Sequence, residues 1–104
     1  IRHLGFSCHG TRDGFDQMIA LHERYHWDFV QIQMNYRDWR YAERGATAGY
    51  MYGVLESKGI PVVIMEPLLG GRLADIPASL ADKLKEREPS QSIASWAFRF
   101  YLYW

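Results

Sequence analysis

"GIPVVIMEPLLGGRLAD", residues 59–75, sets an almost wholly apolar run against a carboxylate, Glu66, and then a glycine loop. The run, residues 60–65, is too short for a helix and is bounded by turn residues, so it predicts a strand. It lacks alternation, which predicts cover on both faces, as in a parallel sheet. Pro61 stands near the strand start, where a missing N–H is tolerated. Gly59 stands where a glycine cap ends a preceding helix. The charge of Glu66 marks the point where the core stops, and Gly70-Gly71 lets backbone N–H groups approach an anion.

Working outward, the same grammar repeats. "IRHLGFS" (1–7) reads as a strand closing on "CHG". Thr11 is placed to cap a helix, with Asp13 in its first turn and Phe15, Met18, Ile19 and His22 at helical spacing. "WDFVQIQMNY" (27–36) predicts a second strand. Phe29, Gln31, Gln33 and Asn35 fall on one face, and Val30, Ile32 and Met34 on the other. "RDWRYAERGATAG" is a polar connection, and residues 47–58 form a helix with Tyr50, Met51, Val54 and Leu55 in a stripe. After the glycine loop, Pro77 opens a short helix carrying Leu80 and Leu84. "EPSQ" breaks it, and Ser92 caps a last helix with Ile93, Trp96, Ala97 and Phe100. Strand alternating with helix predicts parallel strands joined by right-handed crossovers. The row of amides on the second strand must point at something polar, either a layered barrel interior or a ligand.

Composition narrows the function classes. The 104 residues suffice for one domain, expected to span 1–104. The formal net charge is zero, which argues against nucleic acid or an anionic membrane as partner. No run approaches a membrane span, and no secretion signal opens the sequence. The single cysteine, Cys8, forms no internal disulfide, so a reducing, cytoplasmic setting is the simpler expectation. Ile1 at one end and the aromatic run "FRFYLYW" at the other look like cuts in a longer chain.

Two metal readings compete with the anion loop. "HERYH", His22 to His26, fits the H-E-x-x-H pattern, in which two histidines on one helix face hold zinc and the glutamate activates water. That reading makes the protein a zinc hydrolase built on His22, Glu23 and His26. It requires the helix to continue through His26, but Trp27 and Asp28 lead straight into a strand. A helix end rich in cationic side chains explains the stretch without metal. His3, Cys8 and His9 form a second candidate cluster, with nothing to fix their convergence.

"HLGFSCHG", "VQIQMNY", "GIPVVIMEPLLGGRLA" and "SIASWAFRF", in that order and spacing, resemble an aldo-keto reductase over nearly the whole chain, to about Phe100. "FSCHGTRD", "QMNYRDWR" and "IMEPLLGGRLA" look most like the bacterial branch that often carries an iron–sulfur domain after the barrel. That domain's cysteines are not in this sequence. The resemblance implies a (β/α)8 TIM barrel that uses NADPH to reduce a small-molecule carbonyl. A full barrel takes about 250 residues, so this chain corresponds to strands five to seven, three βα units plus an extra short helix. The family's catalytic Asp, Tyr, Lys and His come from earlier strands and match nothing here. By position, Ser7 with Cys8 or His9, and Gln31, match the residues that hold the nicotinamide carboxamide. Met65 matches the residue on the nicotinamide face. Glu66, Pro67, Leu68, Gly70 and Gly71 match the pyrophosphate loop. The implied isolated chain is therefore a cofactor-binding portion without turnover, associating with the rest of its barrel or with another copy. A non-catalytic assembly module built on a partial barrel is the remaining alternative.

Overall fold

The computed structural model describes residues 1–42 and 45–103. Glu43 and Arg44 of the polar connection, and Trp104 of the aromatic tail, lie outside the described residues. The elements run β1 (Gly5–Cys8), α1 (Arg12–Ala20), α2 (His22–Tyr25), β2 (Phe29–Gln33), α3 (Ala48–Ser57), β3 (Val62–Met65), α4 (Ala78–Arg87) and α5 (Ile93–Arg99). A 3₁₀ turn, Phe100–Tyr103, follows. The result is a mixed α/β chain with a three-stranded parallel sheet, as the alternation predicted. It divides into two compact units, residues 1–65 and 66–104. No helix among the described residues is long and apolar enough to cross a membrane.

The first unit holds the sheet in the order β1-β2-β3. Its register pairs Ser7 with Gln31 and Cys8 with Ile32, then Gln31 with Val63 and Gln33 with Met65. Paired residues share a face, so the sheet has two chemically distinct sides. Phe6, Cys8, Val30, Ile32, Val62 and Ile64 occupy one side. Val30 and Ile32 are fully buried there, as are Phe15 of α1 and Leu55 of α3, with Ile19 and Met51 buried beside them. Each such side chain contributes roughly 1.5–3 kcal/mol of burial. Tyr50 ties α3 to α1, its hydroxyl donating to Asp16 Oδ1 at 2.7 Å, with the Arg12 guanidinium 4.0 Å from its ring centre. The other side carries Gly5, Ser7, Phe29, Gln31, Gln33, Val63 and Met65. Among the described residues no helix of this unit buries it: Phe29 stays 36% and Val63 43% exposed.

This corrects one expectation. The third strand was expected to be covered on both faces. Val63 lies on the open side, and even Ile64, on the helix side, is 37% exposed. An apolar run records a strand suited to two covers, and β3 is an edge strand of the sheet in this unit.

The caps follow the sequence. Thr11, Thr47 and Ser92 accept from Gly14, Tyr50 and Ser95 N–H groups at 3.2, 3.2 and 3.1 Å. Gly59, at φ 66°, ends α3. Its N–H reaches Glu56 O and that of Ile60 reaches Leu55 O, both at 3.0 Å, a Schellman closure that needs a left-handed residue. In the second unit Glu88 closes α4, and Arg99 of α5 grips its carboxylate with both guanidinium nitrogens, at 2.8 and 2.5 Å.

Candidate functional site

Parallel strands bring their C-terminal ends to one end of the sheet, where α/β proteins place ligands. In this unit that end carries Ser7 on β1, Gln31 and Gln33 on β2, and Met65 on β3, all on the open side. The Ser7 hydroxyl donates to Gln31 Oε1 at 2.9 Å. In this arrangement Nε2 remains a donor, while Ser7 Oγ keeps acceptor capacity beside it. A donor next to an acceptor is the complement of a planar carboxamide. Met65 is half-buried next to Gln33 and accepts from the Met34 N–H at 3.2 Å.

Cys8 is not brought to this group. It follows Ser7 on a strand, so its side chain points to the other side, where it is buried among the core residues. His9 lies exposed just past the strand.

A second polar group adjoins the first at the end of β2. Asp38 Oδ2 accepts from Gln33 Nε2 at 2.7 Å and from Asn35 Nδ2 at 2.6 Å. Asn35 Oδ1 in turn accepts from the backbone N–H groups of Arg37 and Asp38, at 3.1 and 2.9 Å. The Asp38 carbonyl accepts from Ala48 N–H at 2.9 Å, at the start of α3. Asn35 is fully buried, and these bonds satisfy it. Next to it, partial burial raises the pKa of Tyr36, which stays a neutral hydroxyl. Sequence reading picked out the amide row of Gln31, Gln33 and Asn35 but passed over Asp38, a single acid in a polar connection. It also passed over Gly5, where a Cβ would meet Phe29 O at 2.5 Å. The available signal for Asp38 was its place just after Asn35, a residue type that bonds the backbone two residues on and so opens a turn.

The second unit carries the glycine loop. Residues 66–74 form consecutive turns, with Leu69 N–H bonded to Glu66 O, Arg72 to Leu69, Leu73 to Leu68 and Ala74 to Gly71, at 3.0–3.2 Å. Four of these residues are left-handed: Glu66, Leu69, Gly70 and Gly71, at φ 54°, 52°, 64° and 90°. For Glu66 and Leu69 that backbone carries strain, of the kind ligand-binding loops hold. The Tyr101 hydroxyl donates to Pro67 O at 2.9 Å and anchors the loop, and Leu68 is half-buried.

The histidine motif resolves as a helix end. α2 stops at Tyr25, and His26 is left-handed at φ 53°. His22 Nδ1 accepts from the Trp27 N–H at 3.0 Å, and the two imidazole centres lie 6.0 Å apart. His3 is 3.8 Å from Asp28. Among the described residues no three His, Cys, Asp or Glu side chains converge as a metal site.

Comparison with protein-family models, with curated proteins and with solved structures found no match.

Proposed function

We propose that this chain is the strand-five-to-strand-seven part of an aldo-keto reductase barrel and supplies the cofactor side of an NADPH-dependent carbonyl reduction. The reading rests on the resemblance of its four ordered motifs. One structural observation carries its support: a parallel sheet with helices on one side and, on the other, a hydrogen-bonded Ser7–Gln31 pair at the strand C-termini. In a barrel the helix-covered side would face outward and the open side, with Phe29, Gln31, Gln33 and Val63, would fill the interior. Ser7 and Gln31 would hold the carboxamide through one donor and one acceptor. Met65 would lie on the ring face, where a thioether is soft enough to pack. Glu66, Pro67, Leu68, Gly70 and Gly71 would take the pyrophosphate in a loop where Glu66, Gly70 and Gly71 are left-handed, the kind of backbone that turns N–H groups toward an anion. NADPH, when bound, supplies the hydride. The proton donor would come from a part of the barrel that matches nothing in this chain.

Titration of the ¹⁵N-labelled chain with NADPH tests this. Shifts are expected at Ser7, at the Gln31 side-chain amide and at Gly70 and Gly71, and Gln31→Leu should remove the first two. Saturating NADPH without shifts at Ser7 and Gln31 overturns the reading. With NADPH and 4-nitrobenzaldehyde, cofactor oxidation should stay at the rate without protein, since no residue here matches the acid tyrosine. Turnover proportional to protein would show that this chain carries its own acid.

A further inference from the structure

We propose that Asp38 is a positioning residue for the open side of the sheet: its carboxylate sets the orientation of the Gln33 amide, so that Gln33 presents its carbonyl oxygen to a ligand. The inference rests on the reading of that side as a cofactor face and adds to it a residue and a hydrogen-bond polarity.

An unrestrained glutamine amide offers either end, because its oxygen and nitrogen are nearly interchangeable in shape. At Gln33 they are not interchangeable. A carboxylate only accepts, and Asp38 Oδ2 lies 2.7 Å from Gln33 Nε2. The nitrogen is therefore held by Asp38, and Oε1 is the end left to the face. Asn35 does not compete for this role. Its Nδ2 is on the same Asp38 oxygen, and its Oδ1 is already taken by two backbone N–H groups. The carboxylate is held by two donors at once, Gln33 Nε2 and Asn35 Nδ2, on a backbone that is itself bonded at both ends. Its N–H donates to Asn35 Oδ1, and its carbonyl accepts from Ala48 at the start of α3. Gln31, one position along the same side, is placed with the opposite polarity, its oxygen accepting from Ser7. The row thus presents a donor at Gln31 and an acceptor at Gln33. A ligand meets them best with an acceptor facing the first and an N–H or O–H facing the second. Groups held in place before binding lose less freedom on binding, so a loosened Gln33 should weaken affinity.

The test uses the full chain, free and with NADPH. In the free chain, the Gln33 side-chain amide should give two well-separated, exchange-protected proton signals. In Asp38→Ala they should collapse toward free-glutamine positions, and Asp38→Asn, whose oxygen can accept the same two bonds, should restore them. An unrestrained Gln33 amide in the unaltered chain overturns the inference without touching the proposed function. With NADPH, Asp38→Ala should weaken binding about five- to tenfold, the worth of one oriented hydrogen bond, and Asp38→Asn should recover most of it. Gln33→Met, which keeps the bulk and leaves the Asn35–Asp38 turn intact, should show the same loss even if Asp38→Ala fails to fold. Normal affinity in both Gln33→Met and Asp38→Ala overturns the inference while leaving the Ser7–Gln31 reading standing. Absence of any NADPH shift at Ser7 and Gln31 overturns both. A reduced cofactor analogue with an acetyl group in place of the carboxamide identifies the donor. A Gln33→Met penalty that persists assigns a hydroxyl, and one that vanishes assigns the amide N–H.

Discussion

Asn35 is the residue on which the end of β2 turns. It is fully buried, and its side chain bonds Asp38 and two backbone N–H groups. Truncation to Ala takes a partner from those N–H groups and from the Asp38 oxygen in a part-buried site. The expected loss is about 1–3 kcal/mol, read as a lower urea midpoint with unchanged slope. Asn35→Asp should cost more at neutral pH. It sets a carboxylate where an amide now donates to Asp38 at 2.6 Å, and two such groups cannot both ionise cheaply. Part of the loss should return in acid as one carboxyl takes a proton, and an Asp variant as stable as the original chain at pH 7 would contradict this account. Side-chain polarity on a strand is legible because it alternates, and so Gln31, Gln33 and Asn35 stood out. Asp38 did not, because a turn imposes no period and its two partners become neighbours only once the chain has folded back.

Elements were legible wherever a local rule sets them. Thr11, Thr47 and Ser92 announce helix starts through their own side chains, and Gly59 announces a helix end through its backbone. Cover over a strand is not local, so the apolar run of β3 gave no warning that Val63 would stay exposed. The link between α4 and α5 is another long-range feature the pattern did not carry. Arg99 bonds Glu88 through both nitrogens and lies 4.2 Å from the Trp96 ring centre. The Arg99 hydrogen bonds and charge lower the Glu88 pKa from its ordinary 4.5. A carboxylate with a lowered folded pKa contributes stability that is present above the unfolded value and is lost as pH falls through the folded one. Melting of the chain should therefore show an acid-side loss that begins near pH 4.5 and continues below it. In Glu88→Gln that contribution should already be missing at pH 7, and the gap between variant and original should narrow as the pH drops. A gap that stays constant from pH 7 to pH 3 would mean that the pair adds no pH-dependent stability. Both side chains are part-exposed, so high salt should shrink the gap as well.

At the largest scale, the sheet of the first unit ends in two edge strands. β2 is paired on both sides, while β1 and β3 each keep one edge unpaired among the described residues. Unpaired edges recruit other strands unless charge, proline or a covering element blunts them. Pro61 precedes β3, but the strand itself is Val-Val-Ile-Met and carries no charge. The open side adds Phe29 and Val63, and the second unit exposes Leu80, Phe98, Leu102 and Tyr103. Apolar surface costs about 25 cal/mol per Å² in water, so a few hundred Å² left uncovered forgoes roughly 5–10 kcal/mol. That is comparable to the net stability of a small domain, about 5–15 kcal/mol. The buried core on the helix side, with Phe15, Ile32, Met34 and Leu55, can hold strands and helices together. It does nothing for the edges. We therefore propose that the chain folds as a pair of copies, or against further strands of the barrel proposed above. Sedimentation equilibrium at low micromolar concentration should find a dimer or larger, with a melting temperature that rises with concentration. Val63→Lys sets a charge on β3 on the open side and should shift the chain toward monomer with a lower melting temperature. A compact monomer with a cooperative, concentration-independent melt would show that the three strands close their own edges, and the pairing proposed here would then be wrong.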